Sequence, residues 1–190
     1  MPKIITEDMI EQAAVKLLVS EYSPIYSHIN CYTEKPETLP DGTDRSDKKQ
    51  VVLPEILFGR LRDLNPDIPE ETVMRTAEEL CRNAHGDPLE DNYHRYQKIR
   101  NGIQVKFKKD GRETRGMLRL IDFNTPENNS FIVASQMWIR GEVHWRRPDL
   151  IIFVNGLPLV FIELKNSNIN VKNAYDKNLT DYRRDIPLCI

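Results

Sequence analysis

Three charged side chains, Asp149, Glu163 and Lys165, are the residues of this sequence best suited to chemistry. They stand at the ends of two apolar runs that predict β-strands covered on both faces. Glu163 and Lys165 are two residues apart, so they share one face of their strand. An acid and an ammonium group on so hydrophobic a strand must pair or bind a ligand, because a buried, unpaired charge is costly.

The pairing of the two strands decides whether the acids can meet. Asn155-Gly156 is a turn signal between the strands. A two-residue turn followed by regular pairing would put Asp149 and Glu163 on opposite faces. An odd register, made by a three-residue loop or a bulge, would pair Val154 with Pro158 and Asp149 with Glu163, at a Cα separation of about 4.5–5.5 Å. We predict the odd register.

Two opposed carboxylates can hold one divalent cation. Oxygen ligands favour Mg²⁺, with Mn²⁺ able to substitute, over softer metals. The backbone carbonyl of Leu164 is the natural third ligand, which leaves open positions for water and a phosphate oxygen. Lys165 would hold the attacking water or stabilise the phosphate in the transition state. The predicted reaction is phosphodiester hydrolysis.

A further carboxylate could come from the first predicted helix. Glu11 lies on one helical stripe with Ala14, Val15 and Leu18, so it can point inward, and Glu7 is the alternative. The competing interpretation is that Glu11 belongs to a solvated helix face.

The remaining sequence predicts an α/β domain in which helices flank a mixed β-sheet. Residues 33–49 are polar and rich in turn-forming residues, which predicts a long surface loop within a single domain, 1–190. Helices are predicted at about 7–19 (with Thr6 as N-cap), 51–63, 69–82, 88–100 and 171–184. Strands are predicted from Ile103 to the Asp110-Gly111 turn and at about 114–123, 130–139, 149–154 and 159–165.

Composition narrows the class of protein. Hydrophobic residues make up 39% and charged residues 29% of the 190 residues, as in soluble globular proteins. No membrane span or secretory signal is recognisable, and three scattered cysteines predict a reducing, cytoplasmic setting. Residues 1–100 hold 13 basic and 19 acidic side chains, whereas 101–190 hold 14 and 10, so the second half suits a polyanionic partner. The apolar end, 188–190, suggests a longer parent protein.

The pattern Pro148-Asp149 followed by Glu163-Leu164-Lys165 resembles the PD-(D/E)XK nuclease superfamily. A longer match is more specific and spans roughly residues 51–187. The chain resembles the restriction subunit of type I restriction-modification enzymes in the segments 147–159, 162–165, 120–123 and 126–131 and in Gln136.

This resemblance implies a nuclease domain of restriction-endonuclease-like fold at the start of a large subunit. In that family, two RecA-like motor lobes and a helical tail follow, and the subunit assembles with modification and specificity subunits to cut double-stranded DNA. The chain has no G-x-x-x-x-G-K-[ST] motif, so ATP is expected only for the motor domains of the full-length subunit.

The resemblance also suggests residues that contact DNA or orient the catalytic groups. The family's Gln-x-x-x-Tyr motif corresponds here to Asn178 and Tyr182, with asparagine in place of the usual glutamine. Independently of the resemblance, Arg146 and Arg147 are candidate phosphate contacts, because they add positive charge beside an aromatic residue just before Asp149, although ordinary surface and core roles compete. Asp122 is expected to be structural. The rival to the nuclease interpretation is a non-catalytic DNA-docking or regulatory module that keeps the fold.

Overall fold

The computed structural model describes residues 5–21, 26–82, 88–141 and 143–165. The predicted helix at 171–184, with Asn178 and Tyr182, lies outside these ranges. The helices are α1 Glu7–Ser20, α2 Pro54–Leu64, α3 Glu70–Cys81 and α4 Pro88–Asn101. The strands are β1 Ser27–Asn30, β2 Ile103–Lys109, β3 Arg112–Leu118, β4 Phe131–Ser135, β5 Ile139–Arg140, β6 Trp145–Arg146, β7 Leu150–Val154 and β8 Leu157–Ile162.

The helix predictions within the described ranges are confirmed. Thr6 is the N-cap of α1, because its Oγ1 accepts a hydrogen bond from the Met9 N–H at 3.2 Å. Helix α2 begins at Pro54, later than the predicted residue 51, since proline suits the first helical position. The residues before it, 51–53, are buried and non-helical.

The main sheet has the strand order β1-β4-β7-β8. Strand β1 is parallel to β4, and the other two pairs are antiparallel, so the predicted mixed sheet is confirmed. The short and mostly exposed β1 was not predicted. One core cluster includes Ile132, Ile151 and Phe153 of the sheet, and a second joins α2 and α3 to the β2–β3 hairpin.

The β2–β3 hairpin turns at Asp110-Gly111, as predicted. Strand β3 ends at Leu118 rather than near 123, because the backbone of the next residue, Arg119, forms hydrogen bonds with the Asn65 side chain. Asn65 Oδ1 accepts a hydrogen bond from the Arg119 N–H at 2.8 Å, and Asn65 Nδ2 donates to the Arg119 carbonyl at 2.9 Å.

The strand predicted at 130–139 is interrupted. Strand β4 ends at Ser135, and Gln136 adopts a left-handed conformation with φ of 56°. The chain resumes extended structure only in β5, which pairs with β6 in a separate two-stranded sheet. A conformation so rare for a non-glycine residue explains the break.

Residues 33–49 contain no helix or strand, as predicted, but their placement on the surface is wrong for part of the segment. Asp41, Arg45 and Lys48 are at most 5% exposed. The Asp41 carboxylate accepts hydrogen bonds from Arg45 and Lys48 at 2.6 Å each, and Arg45 also donates to the Trp138 carbonyl at 3.1 Å. These charges are buried because they satisfy one another.

Two cysteines of the described ranges, Cys31 and Cys81, are free thiols. Burial raises the pKa of Cys31 to about 12, so this thiol is unreactive. Among the described helices, none has the length and apolar character required to cross a membrane.

Candidate active site

The β7–β8 hairpin turns on two residues. Asn155 and Gly156 have φ of 52° and 81°, the left-handed values that a tight hairpin turn requires. Val154 pairs with Leu157, so the predicted pairing of Val154 with Pro158 is wrong; Pro158 pairs with Phe153. Next to Asn155-Gly156, the strands therefore pair as a two-residue turn requires and not in the odd register.

The odd register appears further along the ladder, where a bulge leaves Leu159 without an opposite residue. The pairing then continues to Leu150 and Ile162. The next residues on the two strands are Asp149 and Glu163. The register at Leu150 and Ile162 is the predicted odd one, and it arises by the bulge rather than by a longer loop.

Asp149 is half-buried and held from two sides. Its Oδ2 accepts a hydrogen bond from the Leu164 N–H at 2.6 Å, and its Oδ1 accepts one from Gln136 Nε2 at 3.4 Å. Its backbone carbonyl accepts from the Gln136 N–H at 2.9 Å. The carboxylate is thus fixed between the end of β8 and the turn after β4.

Glu11 reaches the same place from α1. Gln136 Nε2 donates a hydrogen bond to Glu11 Oε2 at 2.5 Å, so one amide joins Glu11 to Asp149. Burial raises the pKa of Glu11, with further increases from the negative charges of Asp149 and Asp8, although the Gln136 hydrogen bond and Arg147 act in the opposite direction. Glu7, the alternative candidate, is exposed.

Glu163 and Lys165 lie just beyond the end of β8. Lys165 Nζ is 3.5 Å from Glu163 Oε2, and both side chains are about a quarter exposed, at 22% and 24% for Lys165 and Glu163. This ion pair is consistent with the two side chains sharing one face. The pair remains open enough to solvent for water to reach the ammonium group.

The residues present fit a hard divalent cation by their chemistry. In the part of the chain that the structure describes, no three His, Cys, Asp or Glu side chains are grouped as a ready metal site. The donors at this end of the hairpin are nevertheless carboxylates, and burial, followed by the negative charges of Asp149 and Asp8, raises the pKa of Glu11. Such an all-oxygen set favours Mg²⁺ or Mn²⁺.

The other predicted residues fall into separate environments. Arg147 is exposed, and its guanidinium carbon lies 4.9 Å from the ring centroid of Trp138. Arg146 is half-buried in β6 and pairs with Ile139. The structural role of Asp122 is confirmed, because its carboxylate accepts hydrogen bonds from the residues that follow it, Asn124, Thr125 and Asn128.

Gln136 is the site residue that the sequence did not single out for a role. It lies at the end of the apolar strand β4, and a polar residue there is ordinarily read as a strand end. Two features could have indicated a role for Gln136: it is among the residues that carry the resemblance to the restriction subunit, and it has a polar amide side chain. In the structure, the left-handed conformation of Gln136 aims this amide at both Glu11 and Asp149.

A mixed sheet flanked by helices, with acids and a lysine at one end of the β7–β8 hairpin, defines a restriction-endonuclease-like domain. The chain belongs to the family described as type I restriction enzyme R protein N terminus, whose model matches residues 4–188.

Two relatives illustrate the match. The chain is 39% identical over 123 residues to the type I restriction enzyme HindI endonuclease subunit of Haemophilus influenzae, which covers 64% of this chain and 12% of the relative. It is 27% identical over 191 residues to a putative type I restriction enzyme MjaIXP endonuclease subunit of Methanocaldococcus jannaschii, covering 97% of this chain and 18% of the relative. The chain therefore spans less than a fifth of the length of these curated relatives.

Proposed function

We propose that this chain is the Mg²⁺-dependent endonuclease domain of a type I restriction-modification system, which hydrolyses phosphodiester bonds of double-stranded DNA. The observation that carries the proposal is the bulged register of β7 and β8. It leaves Asp149 and Glu163 as the next residues on two paired strands, and Lys165 forms an ion pair with Glu163. The family and the endonuclease names of the relatives support the same reaction class.

Asp149 and Glu163 would hold the cation, together with the Leu164 backbone carbonyl and Glu11. A bound Mg²⁺ would polarise the phosphate and lower the pKa of a coordinated water. The hydrogen bond from the Leu164 N–H keeps the Asp149 carboxylate oriented, which lowers the cost of ordering it when the cation binds.

Lys165 would serve the attacking water. Its ammonium group has three donors and lies 3.5 Å from Glu163, so it can donate to a water that Glu163 also contacts. The same positive charge would stabilise the negative charge that develops on the phosphate oxygens.

The wider assignment follows from the family. The partners would be double-stranded DNA and the modification and specificity subunits of a cytoplasmic complex, with ATP used only by motor domains of the full-length subunit. Arg146, Arg147, Asn178 and Tyr182 would contact the DNA or orient the catalytic groups.

Metal binding by the 190-residue chain provides the first test. Mn²⁺ titration calorimetry should give a saturable heat for the wild type and none for Asp149→Asn. Asp63→Asn is the matched control, because Asp63 is an exposed carboxylate on α2, and this variant should bind Mn²⁺ like the wild type. Unchanged binding in Asp149→Asn would refute the site.

Cleavage in the assembled restriction complex provides the second test. Lys165→Ala should still bind Mn²⁺ but should cut plasmid DNA at least about 100-fold more slowly, the size expected for loss of one group that acts in the transition state. Equal cutting by the wild type and Lys165→Ala would contradict the catalytic role. A wild-type complex that binds DNA and Mn²⁺ but never cuts would instead favour the docking module.

A further inference from the structure

Two arginines and three aromatic rings form a continuous patch next to the candidate active site. We name it the arginine–aromatic surface. Its members are Tyr32, Trp138, Arg140, Trp145 and Arg147.

Cations and rings alternate across this surface. The Arg147 guanidinium carbon lies 4.9 Å from the Trp138 ring centroid and 5.8 Å from that of Tyr32. The Arg140 guanidinium carbon lies 5.9 Å from the Trp145 ring, and the two tryptophan rings meet edge to face at 6.4 Å. These cation–π contacts restrict the positions of both guanidinium groups.

The surface is accessible and firmly supported from behind. Both arginines are exposed, and Tyr32 is 58% exposed. Trp138 is anchored through its backbone, since its carbonyl accepts a hydrogen bond from the buried Arg45. The buried ion cluster in the loop before α2 therefore holds the platform on which Arg147 stacks.

The surface also adjoins the carboxylates. Arg147 precedes Asp149 by two residues, and its positive charge acts on Glu11, where it opposes the rise in the pKa of that carboxyl. Trp138 follows Gln136, the residue that joins Glu11 to Asp149, by two positions. A polymer that crosses the site would pass over these rings.

The chemistry of the surface selects a phosphate ligand. A guanidinium group whose face is covered by a ring still presents its N–H edge, and this planar edge matches a phosphate in a bidentate manner. Because the stacked arginines are already ordered, less side-chain entropy is lost when they bind.

We propose that the arginine–aromatic surface binds the DNA phosphate backbone beside the bond that is cut, with Arg147 on the phosphate next to the cation site. That a bond is cut there rests on the proposed function. The binding of DNA does not, and it can be measured without metal.

The chain carries its own reporter for this proposal. It has two tryptophans, Trp138 and Trp145, and both belong to the surface. Titration of the 190-residue chain with a short DNA duplex in EDTA should change tryptophan fluorescence in a saturable manner. EDTA removes the cation on which the proposed cleavage depends, so loss of binding is measured separately from loss of cleavage.

Variants of Arg147 assign the contact. With a slope of about 0.9 in log affinity against log salt for each phosphate, one contact contributes roughly eightfold at 0.1 M salt relative to 1 M. Arg147→Gln should lose about that factor and reduce the salt slope by about one. Arg147→Lys, which keeps the charge but not the planar stacked edge, should lose less and keep the slope.

Arg62→Gln is the matched control. Arg62 also has its guanidinium over a ring, 5.9 Å from Phe58 on α2, so the substitution removes the same charge and the same type of stacking elsewhere. It should leave the affinity and the slope unchanged. The proposal is overturned if Arg147→Gln and Arg62→Gln weaken binding equally, or if DNA binds while tryptophan fluorescence stays constant.

Discussion

Gly156 should be among the least replaceable residues of the hairpin that positions the candidate active site. Its φ of 81° is left-handed, which costs a non-glycine residue about 1–2 kcal/mol. A Cβ at this position would lie 2.6 Å from the Leu53 carbonyl oxygen and 2.8 Å from the Leu57 nitrogen. Both atoms are backbone at the start of α2, so neither can turn aside as a flexible side chain could.

The steric conflict adds to the conformational cost. The turn would have to move away from α2, which stretches the 2.9 Å hydrogen bond from the Leu53 N–H to the Gly156 carbonyl. Weakening this bond costs roughly 0.5–1.5 kcal/mol. Loosened packing around the fully buried Leu57 costs about 1 kcal/mol more. We therefore expect Gly156→Ala to lower the free energy of unfolding by about 2.5–4.5 kcal/mol.

Gly111→Ala is the matched control. Gly111 occupies the same position in the Asp110-Gly111 turn with φ of 74°, but a Cβ there would meet no atom within 4 Å. This variant should lose only the conformational part, about 1–2 kcal/mol. Urea unfolding of both variants measures the difference. Equal losses would refute the assignment of the larger effect to contact with α2.

Three further substitutions test the charged groups. Asp41→Asn should destabilise the chain by about 3 kcal/mol, because it leaves two buried cations without their carboxylate. Burial favours a higher pKa for Asp41, but hydrogen bonds from Lys48 and Thr43 and the charge of Arg45 lower it to about 2, so its stabilisation is lost as pH falls from about 4 to 2. Glu11→Gln should be more stable than the wild type at pH 7 but not near pH 4. A raised pKa means that the ionised Glu11 carboxylate destabilises the folded state, and this penalty disappears when Glu11 is protonated. Gln136→Asn should uncouple Glu11 from Mn²⁺ binding, because the shorter amide cannot join the two carboxylates.

Each of these tests has a clear contrary outcome. For Asp41, urea unfolding at pH 7 and acid unfolding of both proteins are compared, and an unchanged acid transition contradicts the role of the cluster. For Glu11, the difference in free energy of unfolding between the wild type and the variant must change with pH. A difference that is the same at pH 7 and near pH 4 contradicts the prediction. For Gln136, the Mn²⁺ affinities of Gln136→Asn, Glu11→Gln and the double variant form a double-mutant cycle. A coupling free energy of zero between the two substitutions contradicts the bridging role. Asparagine tolerates a left-handed φ, so this substitution keeps the turn.

The β7–β8 hairpin shows how far local sequence rules reach. The Asn155-Gly156 dipeptide predicts a two-residue turn, whereas the charged residues at the far end predict the odd register. The structure satisfies both requirements, because the bulge at Leu159 changes the register between them. The bulge could be inferred from the chemistry at the strand ends, and Pro158 beside Leu159 is compatible with it, because proline in a sheet is confined to edge strands and bulges.

The buried ion cluster was not predicted because charge in an irregular, polar segment ordinarily indicates solvent exposure. Asp41, Arg45 and Lys48 pair within a non-helical segment, so no helical periodicity reveals that they meet. Strand β1 was missed for a related reason. It has four residues with little apolar character, and it is held by parallel pairing with β4, a long-range contact that single-sequence patterns do not report.

The candidate site combines residues of the β7–β8 hairpin with Glu11 of α1, and different interactions position the two parts. Asp149 and Glu163 are brought together by one hairpin, so their relative position follows from the turn and the bulge. Glu11 is 125 residues from its hydrogen-bond partner Gln136, and its position depends on how α1 packs. One left-handed residue connects the two parts, since Gln136 contacts Asp149 through both its backbone and its amide. A change at Gln136 can therefore separate the contribution of Glu11 from that of the hairpin while the sheet stays intact.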